Sequence, residues 1–247
     1  MSISRLIRKL GKSLVLMGRP SNRAAMLRFG VGGSTEHDAA LRTTSFGLIV
    51  DVGANRGQFS LASRHFHPEA RIVGFEPLSS AAAVYRKVFA GDARVTLHQT
   101  AVAPRQGMAV MQRSGAEDSS SLLPIGDLMP ALFPGTAAIG TEDVALAPLT
   151  DFLTPADLAV PSLLKIDVQG YELEVLKSAG PLLDLFHQLY VEASFLPFYD
   201  GQVMADEMIA WLRARGFRLA GVLNPSFHPV TGQSLQADLL FENGHSG

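Results

Sequence analysis

The stretch IVDVGANRGQFSLAS, residues 49–63, decides the fold. It starts as an apolar run, carries an acid at Asp51, sets Gly53 and Gly57 four apart, and ends in a helix-like tail. The apolar run reads as a buried strand and the tail as an amphipathic helix. Glycine at the join permits a tight turn and close approach of a ligand to the backbone. The helix N-terminus behind the turn offers free N–H groups.

Outward from this unit the alternation continues. Residues 70–77 read as a second strand, 78–91 as a helix closed by Gly91, and 93–102 as a third strand. After a gap come a strand at 162–168, a helix at 171–183, a strand at 186–195 and a helix at 205–216. Two strands, 217–224 and 234–243, finish the chain with no helix between them. This order predicts an α/β fold: an open, doubly wound, mainly parallel sheet with an antiparallel last strand. Residues 1–45 are set apart as an N-terminal helical extension to a domain of residues 46–247. The stretch 104–160 is rich in Ala, Gly, Pro and Ser and reads as an inserted region of loop and short strands. Its serines are either turn residues or part of a lid.

Composition removes several classes. The chain has 247 residues, of which 47% are hydrophobic and 18% charged, so it is globular rather than disordered. A net charge of −2 provides no field for a polynucleotide, and no nucleic-acid partner is expected. The absence of cysteine excludes disulfides, thiolate-bound zinc and a thiol nucleophile. No apolar run reaches spanning length, and the opening lacks the core of a secretory leader, so a cytoplasmic protein is expected. Ile3, Leu6, Ile7, Leu10 and Leu14 recur at helical spacing between Arg5, Arg8, Lys9 and Lys12. Such a helix docks on its own domain, joins a homodimer, or makes a peripheral contact with an anionic membrane.

The glycine turn lacks the third glycine of a dinucleotide fingerprint. Asp51 beside it would repel a pyrophosphate and suits a ligand carrying an ammonium group. S-adenosylmethionine is such a ligand. Glu76, at the end of the second strand and 23 positions after Gly53, is placed to accept hydrogen bonds from ribose hydroxyls. Nicotinamide sites share that acid, so an NAD-dependent oxidoreductase is the alternative, with a non-catalytic cofactor-binding module as the third class.

A second group of acids follows. Asp167 ends the strand at 162–168 and Glu192 ends the next, which sets them side by side at one sheet edge. Lys165 shares a face with Asp167 and needs a partner in an apolar strand. It either pairs with an acid or reaches substrate. Neighbouring carboxylates serve as a general base or as oxygen ligands for Mg2+. His228, between the last two strands, is a third candidate base. Phe195, Phe198 and Tyr199 could stack on a sugar face.

The segments DVGANRGQFS, FEPLSSA, LKIDVQGYELEVLKSA, VEASFLPFYDGQ and LQADLLF together resemble the FkbM family of S-adenosylmethionine-dependent methyltransferases. The resemblance covers residues 46–242, with KIDVQGYELEVLK its most specific part. It implies a Rossmann-like seven-stranded sheet and O-methyl transfer to a hydroxyl of a sugar, glycan or other natural product. Carried over by position, Asp51, Gly53, Ala54, Asn55 and Gly57 surround the methionine end of the cofactor, and Glu76 with Pro77 holds the ribose. Thr100, Ala101 and Val102 lie by the adenine. Asp167 sits near sulfonium and acceptor, with Glu192 and Lys165 lining the same cleft. Glu172 either orients its helix or touches substrate.

Overall fold

The computed structural model describes residues 18–244. Its main sheet has seven strands, in the order β3-β2-β1-β7-β8-β10-β9. These are β1 (Leu48–Val52), β2 (Arg71–Phe75), β3 (Val95–His98), β7 (Ser162–Ile166), β8 (Gln188–Ser194), β9 (Phe217–Phe227) and β10 (Ser234–Asn243). All neighbours from β3 to β8 pair in parallel, and β10 runs antiparallel to both β8 and β9. Strand order reverses between β1 and β7, and ligands of open α/β sheets bind beyond the carboxyl ends at such a point.

Every residue of β1 and β7 is buried, as expected for parallel strands covered on both faces. Each fully buried aliphatic side chain here contributes roughly 1.5–3 kcal/mol. Asp51 and Lys165 interrupt these apolar runs at directly paired positions. Among the described residues seven α-helices accompany the strands: α1 (Pro20–Phe29), α2 (Asp38–Leu41), α3 (Gln58–Phe66), α4 (Ser79–Val88), α5 (Leu128–Leu132), α6 (Glu172–Ser178) and α7 (Ala205–Arg213). In α3 the inner face is Phe59, Leu61 and Ala62. In α4 it is Ala81, Ala82 and Tyr85. Tyr85 reaches across to donate to Ser60 Oγ at 2.9 Å.

Three expectations change. The strand expected over residues 93–102 is broken after His98. Ala101–Val102 is a separate strand, β4, in a second sheet of order β4-β6-β5, with β5 at Gly107–Ser114 and β6 at Ala138–Ala147. Thr100 Oγ1 donates to Ala145 O at 2.9 Å, and this bond turns the chain away from the main sheet. Apolar alternation runs on through the kink, so it hides the break. The segment before residue 46 is not an appendage where it is described. Ala25 and Val31 pack on Leu61, while Ala40 and Leu41 join a cluster with Phe46, Ile49 and Phe59. Helix α1 has Pro20 in its first turn and Gly30 in a left-handed cap, the two signals that mark helix ends. The amphipathic pattern over residues 3–14 lies outside the described residues. Last, β9 runs three residues further than the sequence suggested. Its pairing with β10 shifts register near Asp238, and Asn224 there has φ +48.

Candidate active site

The turn after β1 is shaped by two glycines. Gly53 has φ +75, and a Cβ there would fall 1.8 Å from Asp167 O. Gly57 has φ +96, and a Cβ there would strike the ring of Phe89. Both positions require glycine for backbone conformation and for packing. The turn's amides are spent within the protein. Gly53 and Ala54 donate to Phe75 O at 3.0 and 2.9 Å, Gly57 donates to Ala54 O at 2.8 Å, and Arg56 donates to Asn55 Oδ1 at 2.7 Å. The start of α3 supplies the free end, and Gln58 and Phe59 there line the cleft.

Asn55 donates its amide to Glu76 Oε2 at 2.8 Å, and Leu78 donates to Glu76 Oε1 at 2.8 Å. Two main-chain donors thus fix a buried carboxylate in the cleft wall. Burial pushes its pKa up to about 7, against the pull of those two amides. Each oxygen keeps a lone pair for another donor.

Asp51 is fully buried and does not line the cleft, which corrects its placement around the cofactor. Its Oδ1 is 3.1 Å from Lys165 Nζ, and its Oδ2 accepts from Ser60 Oγ at 2.6 Å. Lys165 also donates to Gly53 O at 2.9 Å and lies 4.0 Å from Asp167 Oδ2. Burial alone would lower the lysine, but Asp51 and Asp167 hold its pKa above the ordinary value. Lys165 is therefore a clamp between β1, β7 and the glycine turn rather than a side chain free to reach substrate.

Asp167 and Glu192 do come together, as their strand ends predicted. A residue passed over in the sequence joins them. Gln169 Nε2 donates to Asp167 Oδ1 and to Glu192 Oε2, each at 2.7 Å. Burial raises the pKa of both acids; Lys165 offsets the rise at Asp167, while Asp167 adds to it at Glu192. Gln169 is held at φ +59, with Tyr199 Oη 2.8 Å from its Oε1 and Ser121 Oγ donating to its backbone oxygen at 2.6 Å. No pattern in the sequence signals this left-handed backbone at Gln169. Asp167 faces the cleft and Glu192 does not. The residues do not fit the Mg2+ reading. An amide donor sits between the two carboxylates where a cation needs acceptors, and among the described residues no group of three or more His, Cys, Asp or Glu is arranged to hold a metal.

Glu172 is buried and accepts from the amides of Val168 and Gly170 at 3.2 and 2.9 Å, so it closes the turn before α6. Burial takes its pKa up to about 7. His228 is displaced from the site. It sits in the β9–β10 hairpin, outside the cleft wall, where its Nδ1 accepts from the amides of Val230 and Thr231 at 3.2 Å each. Phe198 and Tyr199 are buried in a cluster with Met129 and Leu235, so of the three proposed stacking rings only Phe195 is exposed.

The cleft encloses about 390 Å³, within the range of small-molecule sites. One wall is apolar, with Phe75, Leu78, Ala101, Val102 and Met111. Thr100 and Pro77 lie beside them. The inserted region supplies Glu117, Asp118, Ser120 and Leu122. Glu117 reaches back to Arg56 at 2.8 Å and so ties the insert to the glycine turn. The cofactor reading fits this wall. Glu76 offers fixed acceptors to a ribose, and Gln58 Oε1, buried in the wall with no hydrogen-bond partner among the described residues, suits a donor such as an ammonium group.

A seven-stranded sheet of this order, with an acid fixed at the end of β2 and a site at the switch point, makes this an open α/β protein that binds its ligand beyond the carboxyl ends of the strands. The chain belongs to the FkbM methyltransferase family, whose domain matches residues 51–219. It is 26% identical over 209 residues to the 31-O-demethyl-FK506 methyltransferase FkbM of Streptomyces tacrolimicus, covering 73% of this chain and 76% of that protein. It is also 26% identical over 167 residues to the 2-O-methyltransferase NoeI of Sinorhizobium fredii (strain NBRC 101917 / NGR234), covering 63% of this chain and 67% of that one. The crystal structure of methyltransferase FkbM from Methylobacillus flagellatus KT shares the fold, with a TM-score of 0.54 at 14% identity. That match covers 96% of this chain, which spans only 60% of the length of the crystallised one. The protein is thus an S-adenosylmethionine-dependent methyltransferase. Among the described residues no helix is long and apolar enough to cross a membrane.

Proposed function

We propose that the protein transfers a methyl group to a hydroxyl of a sugar, glycan or related natural product. The observation that carries this reading is the polarity of the two ends of one cleft. At one end Glu76 is fixed by two amides as an acceptor for vicinal hydroxyls. At the other, Asp167 turns a carboxylate toward the space that a hydroxylated acceptor would enter. The printed names of both relatives describe O-methylation, which supports the choice of oxygen as the accepting atom.

When bound, S-adenosylmethionine supplies an activated methyl group with a good leaving group. The protein therefore has to position, exclude water and move a proton. Glu76 holds the donor's ribose. Gln58 and the first turn of α3 meet its amino acid end. The apolar wall from Phe75 to Met111 covers its base. Asp167 orients the acceptor hydroxyl by accepting a hydrogen bond, with Gln169 and Lys165 fixing the carboxylate in place. Holding donor and acceptor in line provides a large part of the rate enhancement in such reactions. The acceptor, the compartment and any dimer contact through the N-terminal segment belong to the same proposal.

The test is transfer of tritium from methyl-labelled S-adenosylmethionine to a panel of monosaccharides, oligosaccharides and polyketide alcohols, with amines and enolisable carbon acids beside them, with and without Mg2+. Label in an ether methyl of a hydroxylated acceptor, unaffected by chelator, is the expected result. Label found only on amine or carbon acceptors would overturn the reading.

A further inference from the structure

His37, Tyr190, Asn224 and Asp238 form a polar cluster that the sequence reading did not assemble. They come from the turn before α2 and from β8, β9 and β10. His37 and Asp238 both lie outside the residues 51–219 that match the family domain. Tyr190 pairs with Lys165 in the β7–β8 register, and Asp238 pairs with Glu192 in the β8–β10 register, so the cluster borders the acidic edge already described.

The hydrogen bonds fix the tautomer of His37. The Tyr190 hydroxyl has one proton, and it donates to Asp238 Oδ2 at 2.7 Å. Asn224 Nδ2 donates to the same carboxylate oxygen at 2.7 Å and to the Tyr190 oxygen at 3.1 Å. His37 Nδ1 lies 2.9 Å from that Tyr190 oxygen, which is left to accept. Nδ1 therefore carries the proton, and the lone pair is on Nε2. Nδ1 is also 3.6 Å from Asp238 Oδ2, so an imidazolium there has an anion beside it. Burial alone would raise Asp238, but His37, Asn224 and Tyr190 hold its carboxyl below the ordinary range.

The ring is also fixed by packing. It stands edge-on to Phe59 at 5.2 Å and to Tyr190 at 5.5 Å between centroids. It lines the same cleft as Gln58, Lys165 and Asp167. Among the described residues no hydrogen bond engages Nε2. Of the two acids only Asp167 lines the cleft, and Lys165 and Gln169 both pull against its taking up a proton. Gln169 occupies an oxygen on each of Asp167 and Glu192, and Glu192 does not line the cleft.

Resting on the methyl-transfer reading above, we propose that His37 is the general base of this enzyme, held in place by Tyr190 and Asp238. The acceptor oxygen forms its bond to the methyl carbon as the carbon–sulfur bond breaks, its electron pair going to sulfur. The hydroxyl proton passes to Nε2, and the imidazolium then releases it to solvent. Asp238 stabilises the cation through Nδ1 and does not itself take the proton.

Of the charged and titratable groups near the ring, Tyr190 and Asp238 meet it directly, Asp167 acts on it through space, and Glu36 and Lys165 line the same cleft. The acid limb of a rate profile is therefore assigned by substitution. The experiment compares wild type, His37→Gln, His37→Ala and Asp238→Asn on the tritium panel from pH 5.5 to 9. Binding of S-adenosylhomocysteine is measured by calorimetry, and ¹⁵N spectra of the histidine rings are recorded. His37→Gln is expected to lose about 10²- to 10⁴-fold in kcat/KM and the acid limb, with S-adenosylhomocysteine affinity retained. Imidazole should restore part of the activity of His37→Ala, and Asp238→Asn should lose less than His37→Gln. Turnover that survives His37→Gln with its acid limb intact overturns the role of His37 alone. Wild type that methylates no hydroxyl overturns the functional reading instead. The ring spectra stand apart from any acceptor: a neutral ring protonated on Nδ1 supports the assignment, and one protonated on Nε2 overturns it.

Discussion

At the sheet edge formed by β1 and β2, main-chain groups partner the charged side chains that line the cleft, beside the buried pair of Lys165 with Asp51. Glu76 is fixed by the amides of Asn55 and Leu78, and Lys165 by the carbonyls of Val52 and Gly53. At the edge from the end of β7 through β8, β10 and β9, side chains hold one another. Gln169 bridges Asp167 and Glu192, while Asn224 and Tyr190 meet on Asp238. Main-chain partners are present whatever the neighbouring side chains are, so the first edge suits a ligand that does not change. Side-chain partners can be exchanged by substitution, so the second edge suits the acceptor.

The largest test of this contrast is Lys165→Ala. It leaves Asp51 charged and unpaired in a strand that is wholly buried, and breaking such a pair costs about 3–5 kcal/mol. Urea unfolding measures it, and a loss below about 1 kcal/mol would remove the clamp from the account. Glu76→Ala comes next. Above pH 7, where Glu76 is ionised, it removes an acceptor whose hydrogen bonds are worth about 1.5–3 kcal/mol each, so S-adenosylhomocysteine affinity should fall by about one to three orders of magnitude in a calorimeter.

Smaller is the effect of pH. The folded pKa values of Glu76 and Glu172 are about 7, above the ordinary 4.5. Between those values the folded chain binds more protons than the unfolded one, so these two acids make stability fall as pH rises from 4.5 to 7. Each contributes a slope of at most about 1.4 kcal/mol per pH unit. Glu76→Gln and Glu172→Gln should each flatten the curve of unfolding free energy against pH, and an unchanged curve would contradict their burial as acids. The smallest effect is expected from Arg56→Ala, since the Arg56–Glu117 pair is partly exposed and such pairs are worth about 0–1 kcal/mol. A larger loss in thermal unfolding would mean that the insert depends on this one tie.

The same contrast explains what the sequence reveals. Asp51, Gly53, Gly57 and Glu76 are legible because a strand, a turn and the next strand lie within one βαβ unit, with fixed spacing. Even there the role of Asp51 is hidden, since its partner Lys165 is remote in sequence and only the β1–β7 register pairs them. Asp167 and Glu192 are legible as strand ends, but Gln169 between them depends on a left-handed backbone that no periodicity signals. His37, Tyr190, Asn224 and Asp238 span most of the chain, and only strand order and the bulge in β9 bring them together. The break at Thr100 is missed because apolar alternation persists while the hydrogen-bond partner changes from β2 to β6.

The central claim is that the glycine turn and Glu76 serve a methyl donor rather than a dinucleotide. Calorimetric titration of the purified protein with S-adenosylmethionine, S-adenosylhomocysteine and NAD tests it most directly. The account predicts micromolar binding of the first two and none of the third. Binding of NAD alone would contradict it and make residues 51–57 a dinucleotide turn with an atypical set of glycines.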